Sequence, residues 1–280
     1  MNRNRSVFLV SVLAFGMAFL YIPIILLIVY SFNYSKLVPV WGGFSFRWYG
    51  VLFQSEEVWA ALTLSLKVAL MNATFATLFG TLAGLALVRF GRFKGRLLFS
   101  GMITAPLVMP EVITGLSLLL LFITLADLIG WPADRGITTI TIAHITFSMA
   151  YVAVVIQSRL AGIDQSLEEA ALDLGARPFR VLMDITLPML APGMVAGWLL
   201  AFTLSLDDLV IASFVAGPDS TTLPMIVFSS VRLGLSPEVN ALATILITTV
   251  TTVSLLGFWY MDRTERRRQR EMQAALALVD

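Results

Sequence analysis

The stretch SRLAGIDQSLEEAALDLGARPFRVLMDITLPML, residues 158–190, decides how the rest of the chain is read. Its charges are many and its apolar residues periodic, whereas the sequence on either side, at 137–157 and 192–215, is almost continuously apolar. Within it, Asp164 is placed to cap a helix whose first turn carries Glu168 and Glu169, both favourable near a positive helix N-terminus. Gly175 then stops that helix, because glycine readily takes the left-handed cap conformation. A second short helix begins at Pro178, whose missing N–H costs nothing in a first turn, and runs through Phe179, Leu182 and Met183 toward Pro188. A helix, a glycine turn and another helix therefore project from between two apolar runs, with Ala170, Leu174 and Phe179 as apolar contacts. An apolar projection rimmed by charge suits docking to another protein.

The surrounding sequence sets what this projection stands on. The 280 residues are 58% hydrophobic and 13% charged, with a mean hydropathy of +0.86. Soluble domains average about 45–50% apolar and about 25% charged, so this is a membrane chain with lipid as its first partner. A crossing takes about 20 apolar residues. Runs of that kind lie at 7–29, 59–88, 97–125, 137–157, 192–215 and 241–260. The expectation is an all-α polytopic protein with six transmembrane helices, residues 1–280 forming one membrane domain that holds 158–190 as a loop. Arg3 and Arg5 precede the first run as in a secretory leader. That run exceeds a leader's usual apolar length and has no convincing small-residue cleavage site before Asn33, so it reads as a retained helix.

Basic residues flanking a span resist translocation. With the N-terminus in the cytoplasm, Arg3, Arg5, Arg89, Arg92, Lys94, Arg96, Arg159, Arg177, Arg180, Arg263, Arg266, Arg267, Arg268 and Arg270 all fall inside. Only Lys36, Arg47, Arg135 and Arg232 fall outside, and Lys67 lies within a span. Both termini are expected in the cytoplasm. On the outer side, the aromatic stretch WGGFSFRWY, residues 41–49, suits the water boundary of a bilayer, and residues 224–231 suit a second short surface helix. Gly80-x-x-x-Gly84 and Gly193-x-x-x-Gly197 are expected packing positions, since small residues let helices approach closely.

Several chemistries are excluded. The formal charge of +1 gives no polycation for nucleic acid. Cysteine is absent, which removes disulfides and thiolate sites, and His144 is the one histidine, so no His-rich metal centre is expected. The basic stretch GRFKGR, residues 91–96, lacks the Gly-Lys-Ser/Thr ending of a phosphate-binding loop. His144 lies among Ala143, Ile145 and Phe147 and reads as a packed helix residue bonded to a neighbour. Neither a catalytic residue nor a cofactor is expected.

Glu169-Ala170-Ala171, three residues, Gly175, nine residues, Ile185, one residue and Leu187-Pro188 together match in full the EAA signature of permease subunits of bacterial type I ABC importers. The chain resembles that family, and within it the polyamine permeases. The resemblance implies a permease fold in which the segment from Glu169 to Gly175 is a coupling helix seated in an ATP-binding subunit. It implies two copies of that subunit, a second homologous permease and a periplasmic polyamine-binding protein as partners, in the bacterial inner membrane. Glu169 is then the polar contact to the ATPase, and Gly175 the sharp turn away from it.

Ionisable groups inside spans are expensive and so are functional candidates. Lys67, Glu111, Asp207 and Asp208 stand out. At 100° per residue Asp207 shares a helical face with Thr203 and Phe214, while Asp208 points to the next sector with Ala201 and Val215. One of the two faces a translocation pathway, with an aromatic nearby to hold an alkyl diammonium by ion pairing and cation–π attraction. Glu111 follows Pro106 and Pro110, where the helix is expected to kink or break. Freed carbonyls at such depth require protein or a wet cavity beside them. Three acids against one lysine favour polyamines over anions, with Lys67 pairing to Glu111 or to an Asp as the structural alternative. An importer of the same architecture for another solute, and an ion-coupled secondary transporter, remain the competing readings.

Overall fold

The computed structural model describes residues 3–36, 40–233 and 237–276. Its helices in chain order are α1 (Arg3–Ser31), α2 (Arg47–Gln54), α3 (Glu56–Arg89), α4 (Arg96–Val108), α5 (Glu111–Ile129), α6 (Ile137–Ala161), α7 (Ser166–Asp173), α8 (Pro178–Val181), α9 (Leu187–Asp207), α10 (Val210–Val215), α11 (Leu223–Leu233) and α12 (Pro237–Leu276). A π-helical turn, Leu182–Thr186, joins α8 to α9.

Among the described residues, α1, α3, α5, α6 and the stretch Pro178–Asp207 are long and apolar enough to cross a membrane. The sixth expected run, 241–260, falls within α12. The chain is an all-α membrane fold. The run 97–125 breaks where the prolines before Glu111 lead one to expect: it is two helices, α4 and α5, parted at Met109–Pro110. Pro110 has no N–H to offer the preceding turn, and Met109 is forced into the extended region that a residue before proline prefers. The run 192–215 also breaks, at Asp208–Leu209.

Residues 56–228 form one compact unit. The 34-residue α3 is its axis, packed along α6 and α9. Glycine makes this contact possible. A Cβ at Gly80 would lie 2.7 Å from Val152 Cβ, and one at Gly84 would lie 2.8 Å from Ile156 Cγ2, so the two backbones meet where side chains are missing. Gly193 and Gly197 play the same part in α9, facing the Arg159 stem and Val152 of α6. One apolar core, with Val68, Phe122, Ile140, Phe147 and Ile211, packs α3, α5, α6 and α10. A second, with Leu85, Val152, Ile156, Leu160 and Leu190, packs α3, α6 and α9.

Residues 1–55 and 229–280 form the other unit. There α1 packs on α12, and α2 on α12. The aromatic stretch 41–49 folds around buried Asn33. The Asn33 side chain donates to the Val40 carbonyl (2.7 Å) and accepts from the Gly42 N–H (2.8 Å), while Trp48 Nε1 donates to its carbonyl (2.7 Å). Phe32 stacks on Phe44 at 5.2 Å, leaving Phe44 and Phe46 exposed, as suits rings at a membrane boundary.

Candidate functional site

Two regions of the unit 56–228 hold the residues singled out above. The first is the projection between α6 and α9. Asp164 Oδ1 accepts the Ser166 N–H at 2.9 Å, so α7 starts one residue later than a direct Asp164 cap would place it. That bond holds the Asp164 carboxyl below the usual carboxylate range, helped by the Ser166 hydroxyl and opposed by slight burial. At the other end Gly175 has φ +85°, the Gly175 N–H reaches the Leu172 carbonyl, and the Ala176 N–H reaches the Ala171 carbonyl. This is a Schellman closure, which only a residue free to adopt positive φ makes without strain. Arg177 is extended and Pro178 takes the first position of α8.

The two adjacent acids of α7 separate by role. Glu168 turns inward: its Oε1 receives Arg89 Nη2 at 3.2 Å and Thr186 Oγ1 at 3.0 Å. Glu169 and Ala170 are exposed, Ala171 is half-buried, and Glu169 has no partner among the described residues. Leu174 and Phe179 stand 90% and 69% exposed at the tip, an apolar surface with charge around it. Ile185 and Leu187 are half-buried, and Pro188 lies exposed in the first turn of α9. The motif residues thus divide between an outward face, from Glu169 to Gly175, and the root that returns the chain to α9. Between α3, α7 and α8 lies an apolar groove of about 570 Å³ lined by Leu82, Leu85, Leu172, Phe179 and Leu182.

The second region is polar and lies among the apolar helices. Asp208 ends α9 with extended backbone and caps α10: Oδ2 accepts the Ala212 N–H at 2.8 Å and Oδ1 the Ile211 N–H at 3.3 Å. His144 Nε2 lies 2.9 Å from Asp208 Oδ2, a short approach that is off the N–H axis and makes no aligned hydrogen bond. His144 Nδ1 pairs with Ser205 Oγ at 2.7 Å. The Asp208 side chain is 7% exposed, so its oxygens are occupied within the fold. Asp207, one residue before, is exposed and makes no side-chain hydrogen bond or ion pair with another side chain among the described residues.

Because the helix stops here, the expected common face of Thr203, Asp207 and Phe214 does not exist. Thr203 is exposed and bonds back to the Leu199 and Leu200 carbonyls of its own helix. Phe214 belongs to α10 and packs against Gly115 of α5, where a Cβ would lie 2.8 Å from its ring. The α5–α10 contact joins the two interrupted helices: Glu111, exposed, is one turn before Gly115, and Asp208 is one turn before Ile211, which also meets Gly115. Lys67 is exposed on α3 and forms no ion pair among the described residues.

One residue escaped the sequence reading. Asn72, fully buried in α3, donates from Nδ2 to Ser148 Oγ of α6 (3.1 Å) and to the Ala201 carbonyl of α9 (2.7 Å). Its only sequence signal is a lone amide in a long apolar run, in a setting where helices are held by such bonds.

Comparison with known proteins adds an independent line. Residues 76–270 match the family described as binding-protein-dependent transport system inner membrane component. The putrescine transport system permease protein PotI of Escherichia coli K12 is 59% identical over 271 residues, 97% of this chain and 96% of that one. The spermidine/putrescine transport system permease protein PotC of the same strain is 46% identical over 230 residues, 82% of this chain and 84% of that one. The fold matches that of a bacterial ABC transporter involved in the import of the acidic polysaccharide alginate, with TM-score 0.72 at 18% identity over 93% of this chain and 98% of that one. An exposed helix–turn–helix, a membrane bundle with interrupted helices and near full-length relatedness converge, and the chain belongs to the family of binding-protein-dependent transport system inner membrane components.

Proposed function

We propose that this chain is the permease subunit of an ATP-driven importer that moves putrescine, or a closely related polyamine, from periplasm to cytoplasm by alternating access. The observation that carries the coupling half of this reading is the outward face of α7, where Glu169, without a side-chain partner among the described residues, is exposed along with Leu174 and Phe179. Such a face fits the cleft of an ATP-binding subunit. The excess of basic residues at the α3–α4 junction, around α7 and in the C-terminal part of α12 favours a cytoplasmic location for this side and for both termini. Two ATP-binding subunits, a second permease and a periplasmic polyamine-binding protein complete the assembly. Hydrolysis then belongs to the partner, since this chain has no phosphate-binding loop.

Fold alone does not choose the solute, as the alginate transporter has the same architecture and an anionic cargo. The choice rests on relatedness to the putrescine permease and on the acids at the two helix breaks. Asp207 is the group we assign to the ammonium end of the substrate, with Glu111 and Thr203 along the same pathway. Asp208, held by His144 and the α10 amides, keeps the break open and so positions Asp207. Phe214 supports the α5–α10 contact. Alternating access requires that the ligand bind the two states with different affinity, and a carboxylate at a break meets this when movement of α9 against α10 changes its surroundings.

The test is uptake of labelled putrescine by proteoliposomes holding this chain and its co-purifying subunits, with binding protein and ATP supplied. Unlabelled spermidine or cadaverine should compete, and sulfate or amino acids should not. Stimulation of the ATPase by an unrelated solute, with no putrescine uptake, would reject the substrate while keeping the architecture.

A further inference from the structure

We propose that Arg89 is a coupling strut: its ion pair with Glu168 is the point through which displacement of α7 is delivered to α3 and α9 and so to the substrate pathway. This rests on the importer reading above. It concerns Glu168 and Arg89, neither of which belongs to the outward face of α7.

The geometry is a three-way junction. Arg89 is the last residue of α3. Its Nη2 lies 3.2 Å from Glu168 Oε1 and its Nη1 donates to Gln165 Oε1 at 3.4 Å, so one guanidinium grips the first turn of α7 and the residue before it. The same Glu168 oxygen accepts from Thr186 Oγ1 at 3.0 Å, and Thr186 is the buried last residue of the π-helical turn that leads into α9. Arg89 and Glu168 are each 15% exposed. A pair this shielded is screened far less than a surface pair, and the forked guanidinium fixes direction as well as distance. Three elements therefore share one carboxylate oxygen, and α7 cannot shift without pulling on both α3 and the root of α9.

What α3 does with that pull follows from its other attachments. From Arg89 to Asn72 it is one uninterrupted helix, about 25 Å at 1.5 Å per residue. At Asn72 it is bonded again to α9, through the Ala201 carbonyl, one turn before Ser205. Ser205 holds His144, and His144 faces Asp208 at the helix break. The helices α3 and α9 are thus tied at both ends of the path, at Glu168 outside the apolar core and at Asn72 within it. Displacement at one tie is carried by packed helices and defined bonds to the other, the contiguous connection that energetic coupling between sites can use.

A residue that merely stabilises the loop would, when removed, reduce transport and hydrolysis together. A strut, when cut, lets the ATPase cycle while the pathway lags. In reconstituted complexes, Arg89→Ala and Glu168→Ala should retain ATP hydrolysis and lower the putrescine moved per ATP about fivefold or more, within the range of ordinary coupling between sites. The exchange Arg89→Glu with Glu168→Arg should restore at least half of the wild-type ratio. If Arg89→Ala does not assemble, Arg89→Lys carries the test, as it keeps the charge and loses the fork, and its ratio should also fall. A substrate-independent readout is available because the chain has no cysteine. Spin labels at Leu82→Cys on α3 and Asp173→Cys on α7 should keep their separation in wild type when a non-hydrolysable ATP analogue closes the ATPase, and change it in Arg89→Ala. An unchanged ratio in the single variants, a proportional loss of transport and hydrolysis, no recovery in the exchange, or a label separation that shifts in wild type each overturns the proposal. Absence of ATP-dependent putrescine uptake in wild type counts against the importer reading alone, and the label distances then decide the strut.

Discussion

The adjacent acids Asp207 and Asp208 should respond to substitution in opposite ways. Asp208→Ala removes the acceptor for the Ile211 and Ala212 amides, at 3.3 and 2.8 Å, and the charge 2.9 Å from His144 Nε2. Losing the cap strands these same buried donors, so the expected destabilisation is about 1–3 kcal/mol. At ~2–4 °C per kcal/mol for a chain of this size, Tm falls by about 2–12 °C. Asp208→Asn keeps an acceptor for an amide and should lose less. Asp207 is exposed and bonded to no other side chain among the described residues, so Asp207→Asn should leave stability within about 0.5 kcal/mol of wild type while abolishing most putrescine uptake. The assay pairs thermal unfolding of the detergent-solubilised complex, followed by tryptophan fluorescence, with uptake by proteoliposomes. The reasoning is refuted if Asp207→Asn melts as early as Asp208→Ala, or if Asp208→Ala melts with wild type.

Other outcomes follow from the same contacts. Gly80→Val forces a Cβ to within 2.7 Å of Val152, so α3 and α6 must separate. The cost is about 1–3 kcal/mol, read as a lower Tm, with Gly16→Val, where nothing lies within 4 Å, as the neutral control. Glu169→Ala should weaken co-purification of the ATP-binding subunit and lower ATP-driven uptake without changing the melting of the isolated permease. Asp164 has a depressed pKa, so its contribution to the start of α7 is complete above the ordinary Asp value and disappears as pH falls through the lowered one. The protection of the Ser166 amide relative to its intrinsic exchange rate should therefore be steady near neutrality and fall only in acid below the ordinary Asp range, and Asp164→Ala should show low protection at every pH.

How much of this was legible in the sequence depends on whether a residue's own chemistry fixed its conformation. Gly175 and Pro178 allow few backbone states, and the turn between α7 and α8 appears where they put it. Pro110 likewise marked the break before Glu111. The Gly80 and Gly84 contact was readable because a missing side chain can be used in few ways in a membrane helix. The break at Asp208 was not found, since two acids in an apolar run were projected along a continuous helix. The overlooked sign is that aspartate prefers the cap to the helix interior. Nor did sequence show that Glu168 turns inward: only the position of Arg89, far away in the chain, draws it there. Asn72 depends on Ser148 and the Ala201 carbonyl in the same way, through contacts that no local pattern encodes.

The most direct measurement of the central claim is labelled putrescine uptake by proteoliposomes of the co-purified complex, with binding protein outside and ATP either trapped inside or omitted. The account predicts accumulation only when ATP is inside and the binding protein is present, insensitive to uncouplers. Uptake of equal size without ATP, collapsing when the proton gradient is dissipated, would contradict it and make the intramembrane carboxylates proton carriers.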